Sequence, residues 1–181
     1  MISMKKILSE IGNSFNFKLS ALEKIRRITL SSSSKIDFNA TEKKWLQQTV
    51  LDTTYELYRG LGLIYQRLTS EEIEFVKTLK EGDKLPKFLL KNIHNNKILS
   101  YTKKFNVAKG YSEGKVSIVY KVNVDRNNVV VDLENLNVLL QKENIDQNII
   151  DSEDFKYFRR DKEVLVDVSL EKDATIVYLR K

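Results

Sequence analysis

"KVSIVYKVNVDRNNVVVDL", residues 115–133, decides how the chain folds. Ile118, Tyr120, Val122 and Val124 alternate with Ser117, Lys121 and Asn123. That period of two belongs to a strand with one buried face. "DRNN" supplies turn residues, and "VVVDL" reads as a second strand completing a hairpin. Further on, "KEVLVDV" (162–168) and "ATIVYLR" (174–180) add two more strands to a strand-rich carboxyl half.

Upstream the period is helical. "NATEKKWLQQTVLDTTYEL" (39–57) reads as one helix, with Asn39 and Glu42 forming a capping box and Trp45, Leu46, Thr49 and Val50 facing inward. A second box, Thr69 with Glu72, opens "TSEEIEFVKTLKEGD" (69–83), where Ile73, Val76 and Leu79 repeat and Gly82 ends the helix. Helices first and strands later predict an α+β fold with a mostly antiparallel sheet. Neither GxGxxG nor GxxxxGK[ST] is present, so a dinucleotide-binding Rossmann unit and a P-loop are not supported.

"SSSS" (31–34) is the clearest break. It sets a basic, helical amino-terminal arm with its linker (1–34) apart from one domain (35–181). In the arm, Leu19, Leu22, Ile25 and Ile28 recur at helical spacing. A helix packed on the body is the plain reading, and a partner-binding arm is the alternative. At 181 residues, 41% apolar and 31% charged, the chain suits one globular domain. It has no cysteine, which excludes thiol chemistry, and its only histidine, His94, is a poor metal ligand alone. No apolar run spans a bilayer, and no signal-peptide core stands at the start, so a cytoplasmic protein is expected. A net charge of +6 favours polyanionic partners.

The chemistry-bearing residues fall in three stretches. "FRRDKEVLVDV" (158–168) opens a strand with Asp161 and Glu163. On a strand these two share a face with Leu165, while Val164, Val166 and Val168 point the other way. Alone, such acids read as a solvated strand start. "YELYRGLG" (55–62) carries Arg59, whose fork suits a diphosphate, followed by Gly60, which admits close backbone approach. "KILSYTKKFNVAKGYSEG" (97–114) places Ser100 and Thr102 on one face if extended. Such hydroxyls also serve as local caps.

Taken in order, Tyr58-Arg59-Gly60, then Ser100-x-Thr102 with Val107-Ala108-x-x-Tyr111, then Asp161-x-Glu163-Val164-Leu165, this set resembles the arginine–serine–glutamate class of ADP-ribosyltransferases. The resemblance runs from about Tyr55 to Tyr178 and implies amino-terminal helices beside a split antiparallel sheet that forms an NAD cleft. It implies that Glu163 binds the ribose 2'-hydroxyl and Ser100 orients Glu163, with Thr102 in support. Arg59 would grip the phosphates, and the Gly60 backbone would meet the nicotinamide amide. NAD is consumed as a co-substrate, and no metal is implied. The chemistry fits the residue types, because breaking the nicotinamide–ribose bond creates an oxocarbenium-like sugar that a preorganised carboxylate stabilises.

Asp161 departs from the pattern: arginine-modifying members have Glu there, and others often have Gln. Its carboxylate is one methylene shorter but keeps the capacity to take a proton. "DSEDFKYFRR" (151–160) precedes it, with Phe155, Tyr157, Phe158, Arg159 and Arg160 as an expected acceptor loop that packs against protein or stacks on bases. Phe105 or Tyr111 is a candidate to lie on the nicotinamide ring or in the core. Lys103 and Lys104 read as phosphate contacts or as a solvated pair. The expectation is a small mono-ADP-ribosyltransferase of the phage-effector or intracellular-toxin kind, modifying protein arginine first and RNA as the alternative. As a toxin it would have an inhibitory protein partner. NAD hydrolysis and a non-enzymatic binding module are the further readings.

Overall fold

The computed structural model describes residues 4–30, 36–63, 67–90, 98–145, 156, 160–167 and 174–181. Helices α1 (Met4–Leu30) and α2 (Ala40–Leu46) come first, then β1 (Thr54–Leu63), α3 (Ser70–Thr78), β2 (Ile98–Thr102) and α4 (Phe105–Gly110). They are followed by β3 (Val116–Asp125), β4 (Val129–Asp132), α5 (Leu133–Lys142), β5 (Glu163–Asp167) and β6 (Thr175–Arg180). The fold is α+β, and the six strands form one open antiparallel sheet in the order β4-β5-β2-β1-β3-β6.

Four readings of the sequence are corrected. The helix expected over 39–57 stops at Leu46, tightens into a 3-10 turn at Gln47–Thr49, and gives way to β1. Thr49 bonds the Leu46 carbonyl through its hydroxyl, and Val50 turns extended. β1 pairs with β3 over ten registered positions, Thr54–Asp125 to Leu63–Val116, so non-local pairing overrides the helical period. The expected β3–β4 hairpin does not form: β4 lies at one edge of the sheet and β3 is fifth from it. Asp132 then caps α5, a helix the reading of "VVVDL" passed over. Finally α3 ends at Thr78, and Gly82, at φ 94°, serves the turn beyond.

The sheet is covered on both faces. One core joins Leu57, Ile118, Val122, Val164 and Val166 to Val76 and Leu79 at the α3 end of the chain's helical set. The other joins Ile98, Val131 and Leu165 to Ala21, Leu22 and Ile25 of α1, to Trp45 of α2, and to Leu136 and Leu140 of α5. β5 is therefore buried on both faces and is not the half-solvated strand its alternation implied. The arm packs on the body, and the Ser31–Ser34 break lies outside the described residues. No described helix is long and apolar enough to cross a membrane.

Candidate functional site

The central strands separate. β1 and β2 share one registered pair, Tyr58 with Thr102, whereas β2 pairs with β5 along its whole length. A cleft of about 370 Å³ opens at this junction. Arg59, Gly60, Ser100, Thr102 and Glu163, which come from three different strands, all line it. Registry explains part of this: Thr102 opposes Glu163 and Ser100 opposes Leu165, so all four side chains share a sheet face.

Glu163 is the focus. Its Oε2 is buried without a hydrogen-bond partner among the described residues. Burial, aided by the nearby Asp161 charge, pushes its carboxyl up to about 7, against the pull of a hydrogen bond from Ser100 and of the Arg59 charge. A carboxylate titrating at neutral pH with a buried, unsatisfied oxygen is costly to keep in a fold.

Asp161 is placed otherwise than the sequence reading had it. It ends a helical turn, and Lys162 follows in the left-handed region at φ 49°, so Asp161 is not on the strand face of Glu163 and Leu165. It is also no solvated edge: it is 5% exposed. Its Oδ2 accepts from the Tyr111 hydroxyl at 3.0 Å, and Arg160 donates from Nε to Oδ1 at 2.8 Å and from Nη2 to Oδ2 at 3.3 Å. Burial would raise its pKa, but Arg160 and Tyr111 outweigh burial and hold the carboxyl below its usual range. The two acids thus titrate in opposite directions, the pattern that separates an acid–base group from a fixed charge.

Arg59 donates from Nη1 to the Ser100 carbonyl and lies over the Tyr101 ring at 5.7 Å. It bridges the gap that the separating strands leave. Gly60 lines the cleft and also has a packing reason to lack a side chain. A Cβ there would sit 2.0 Å from the Ala108 carbonyl oxygen, so the missing side chain lets α4 pack onto β1. Thr102 is buried; its hydroxyl donates to the Asp161 carbonyl and accepts from the Lys104 N–H at 3.0 Å, pinning the turn before Glu163.

Tyr111 lines the cleft, whereas Phe105 packs edge-on between Tyr58 and Tyr178. Lys103 is not a solvated charge. Its ammonium bonds the fully buried Asp132 at 2.6 Å and Glu134 at 3.1 Å. Lys162 reaches the same Glu134 at 2.7 Å, and the Lys103 N–H bonds the Lys162 carbonyl at 3.2 Å. This network fixes the corner that aims Glu163. Lys104 donates to the Arg160 carbonyl at 2.7 Å.

Phe155, Tyr157, Phe158, Arg159 and His94 lie outside the described residues. Two contributors escaped the sequence reading: Ile28 and Thr29, at the end of α1, wall the cleft, although the arm stood outside the expected domain. The run Leu22, Ile25 and Ile28 signalled packing but not its place. Asp132 also went unread, and the signal that could have found it is an acid followed by the helical spacing of "LENLNVLL". No group of acids and histidines among the described residues could hold a metal ion. No protein-family model, curated protein or solved structure matches the chain.

Proposed function

We propose that the protein is a mono-ADP-ribosyltransferase that cleaves the nicotinamide–ribose bond of NAD and passes ADP-ribose to a macromolecular acceptor, with protein arginine first. The observation that carries this reading is the buried Oε2 of Glu163, without a hydrogen-bond partner among the described residues, in a cleft that Arg59 and Ser100 also line. A ribose hydroxyl donating to that oxygen would meet its missing bond, and the ionised carboxylate would face the positive charge that develops on the sugar. Ser100 holds the carboxylate from the other side. A guanidinium carries five N–H donors, so the bond to the Ser100 carbonyl leaves Arg59 donors for a diphosphate. NAD is spent in this scheme, with no hydride exchanged.

One observation favours a second reading. Both oxygens of Asp161 already accept bonds from Arg160 or Tyr111, three in all, so an incoming acceptor would have to compete for the carboxylate expected to receive it. Water would then take the ribose, and the protein would be an NAD glycohydrolase. Incubation of NAD labelled in its adenylate half with wild type and Glu163→Gln, beside separate protein and RNA pools, decides. Transferase action gives nicotinamide and labelled protein with wild type alone. Free ADP-ribose without labelled macromolecule selects hydrolysis, and label confined to RNA replaces the acceptor. Equal nicotinamide release by both forms contradicts the catalytic reading.

A further inference from the structure

The one registered pair between β1 and β2, Tyr58 with Thr102, stands at the Glu163 end of the cleft, because Thr102 also pairs with Glu163. From there β1 runs on through Arg59 to Leu63 and β2 runs back through Ser100 to Ile98, with no further pair between them. The split therefore extends toward Ile98, about 13 Å along the strand from Thr102. The last turn of α1 closes that end. Ile98 shares a core with Leu22 and Ile25 of α1, and Ile28 packs against the same core. Ile28, Thr29, Ile98 and Leu99 all line the cleft. Arg59 lies between the two ends, bonded to the Ser100 carbonyl. A dinucleotide with one ribose at Glu163 and its diphosphate at Arg59 leads its second nucleoside toward α1.

The chemistry at α1 is wrong for a phosphate and right for a donor. The Thr29 hydroxyl turns its proton back into the helix, toward the Ile25 and Arg26 carbonyls at 3.0 Å each, so it has only lone pairs to offer. It sits in the final turn, where a helix gathers its unsatisfied carbonyls and partial negative charge. Arg27, the basic residue of that turn, is exposed and does not line the cleft. Beside these lone pairs stand the apolar side chains of Ile28 and Ile98. A flat ring carrying an amine at its edge matches both features, as adenine does. A ring with a carbonyl in that place would set lone pair against lone pair.

We infer that Ile28 and Thr29 seat the adenine of NAD, with Thr29 accepting a hydrogen bond from its exocyclic amine, and that α1 thereby selects the base of the dinucleotide. This rests on the proposed function and names specificity-determining residues for it. The turn belongs to the amino-terminal arm, outside the stretch that carries the family resemblance.

The test measures nicotinamide release by the full chain from NAD and from nicotinamide hypoxanthine dinucleotide, which has a carbonyl in place of the amine. Wild type should favour NAD in kcat/KM by about tenfold, chiefly through KM. Thr29→Val should bring that ratio close to one, and Thr29→Ser, which keeps the hydroxyl, should preserve it. A ratio taken on one preparation does not depend on how much of it is folded. Equal kcat/KM for the two dinucleotides in wild type overturns the inference and leaves the proposed function standing. So does a preference that survives Thr29→Val or disappears in Thr29→Ser. Absence of nicotinamide release from either dinucleotide under every condition overturns both.

Discussion

Glu42, where α1 meets α2, and Glu163, in the cleft, are the same residue type in opposite circumstances. Glu42 is 1% exposed and fully engaged. It accepts from Lys24 at 2.6 Å, from the Ser20 hydroxyl at 2.9 Å and from the Asn39 N–H at 2.8 Å. Burial works to raise its pKa, but these donors win and hold the carboxyl below its usual range. Glu163 has weaker support and an oxygen with none among the described residues, and burial wins. The first is what a fold does with a buried acid it uses as a fastener. The second is what it tolerates when the acid's missing partner arrives with a ligand.

Four single substitutions, one of them with a second change that should rescue it, put this contrast to the test. Glu163→Gln has the largest effect: nicotinamide release should drop by about 10²–10³-fold or more. Its stability should move the other way. Glu163 titrates near 7 in the fold against 4.5 ordinarily, so the folded state holds the extra proton between those values. The group's contribution is therefore whole below about pH 4.5 and is lost as pH rises through 7. Thermal unfolding should show Glu163→Gln more stable than wild type at pH 8, with the difference vanishing near pH 4.5.

Lys103→Met comes next. It strands Asp132, which is 0% exposed, without its cation, and urea unfolding should register a loss of about 3 kcal/mol. Adding Asp132→Asn should recover part of it. Because Lys103 also holds the Lys162 corner, the single variant should lower kcat for nicotinamide release more than it raises KM. Glu42→Ala removes a capping partner and an ion pair together, and should cost about 2 kcal/mol in the same assay. Its effect on activity enters through α1, whose Ile28 and Thr29 wall the cleft. The least effect belongs to Tyr111→Phe, which deletes one bond to Asp161 and should cost about 1 kcal/mol.

Local signals carried much of the fold. Both capping boxes stand where Asn39, Glu42, Thr69 and Glu72 placed them, because they are made within four residues. Trp45 is in the core, as its stripe implied. What failed was non-local. "DRNN" announces a turn but not which strand its flanks will pair with, so β3 and β4 were joined when they lie apart. Thr54–Leu57 followed a helical stripe closely enough to hide a strand that β3 dictates. At the site, Arg59, Ser100 and Glu163 were legible as residue types in order, and they do line one cleft. Their environment was not. A lysine at φ 49° is invisible in a run that alternates like a strand, and with the helical turn before it this moves Asp161 off the shared face. Lys103 looked like a surface charge because its partner is twenty-nine residues on.

Glu163 carries most of this contrast, as a carboxyl that burial pushes up to about 7. The direct measurement is its carboxyl carbon signal in protein made with ¹³C-glutamate, identified by its loss in Glu163→Gln and followed across pH with and without NAD. The expected midpoint lies near 7 and shifts when NAD is added. A midpoint near 4.5, indifferent to NAD, would overturn the assignment of Glu163 as the ligand-binding acid.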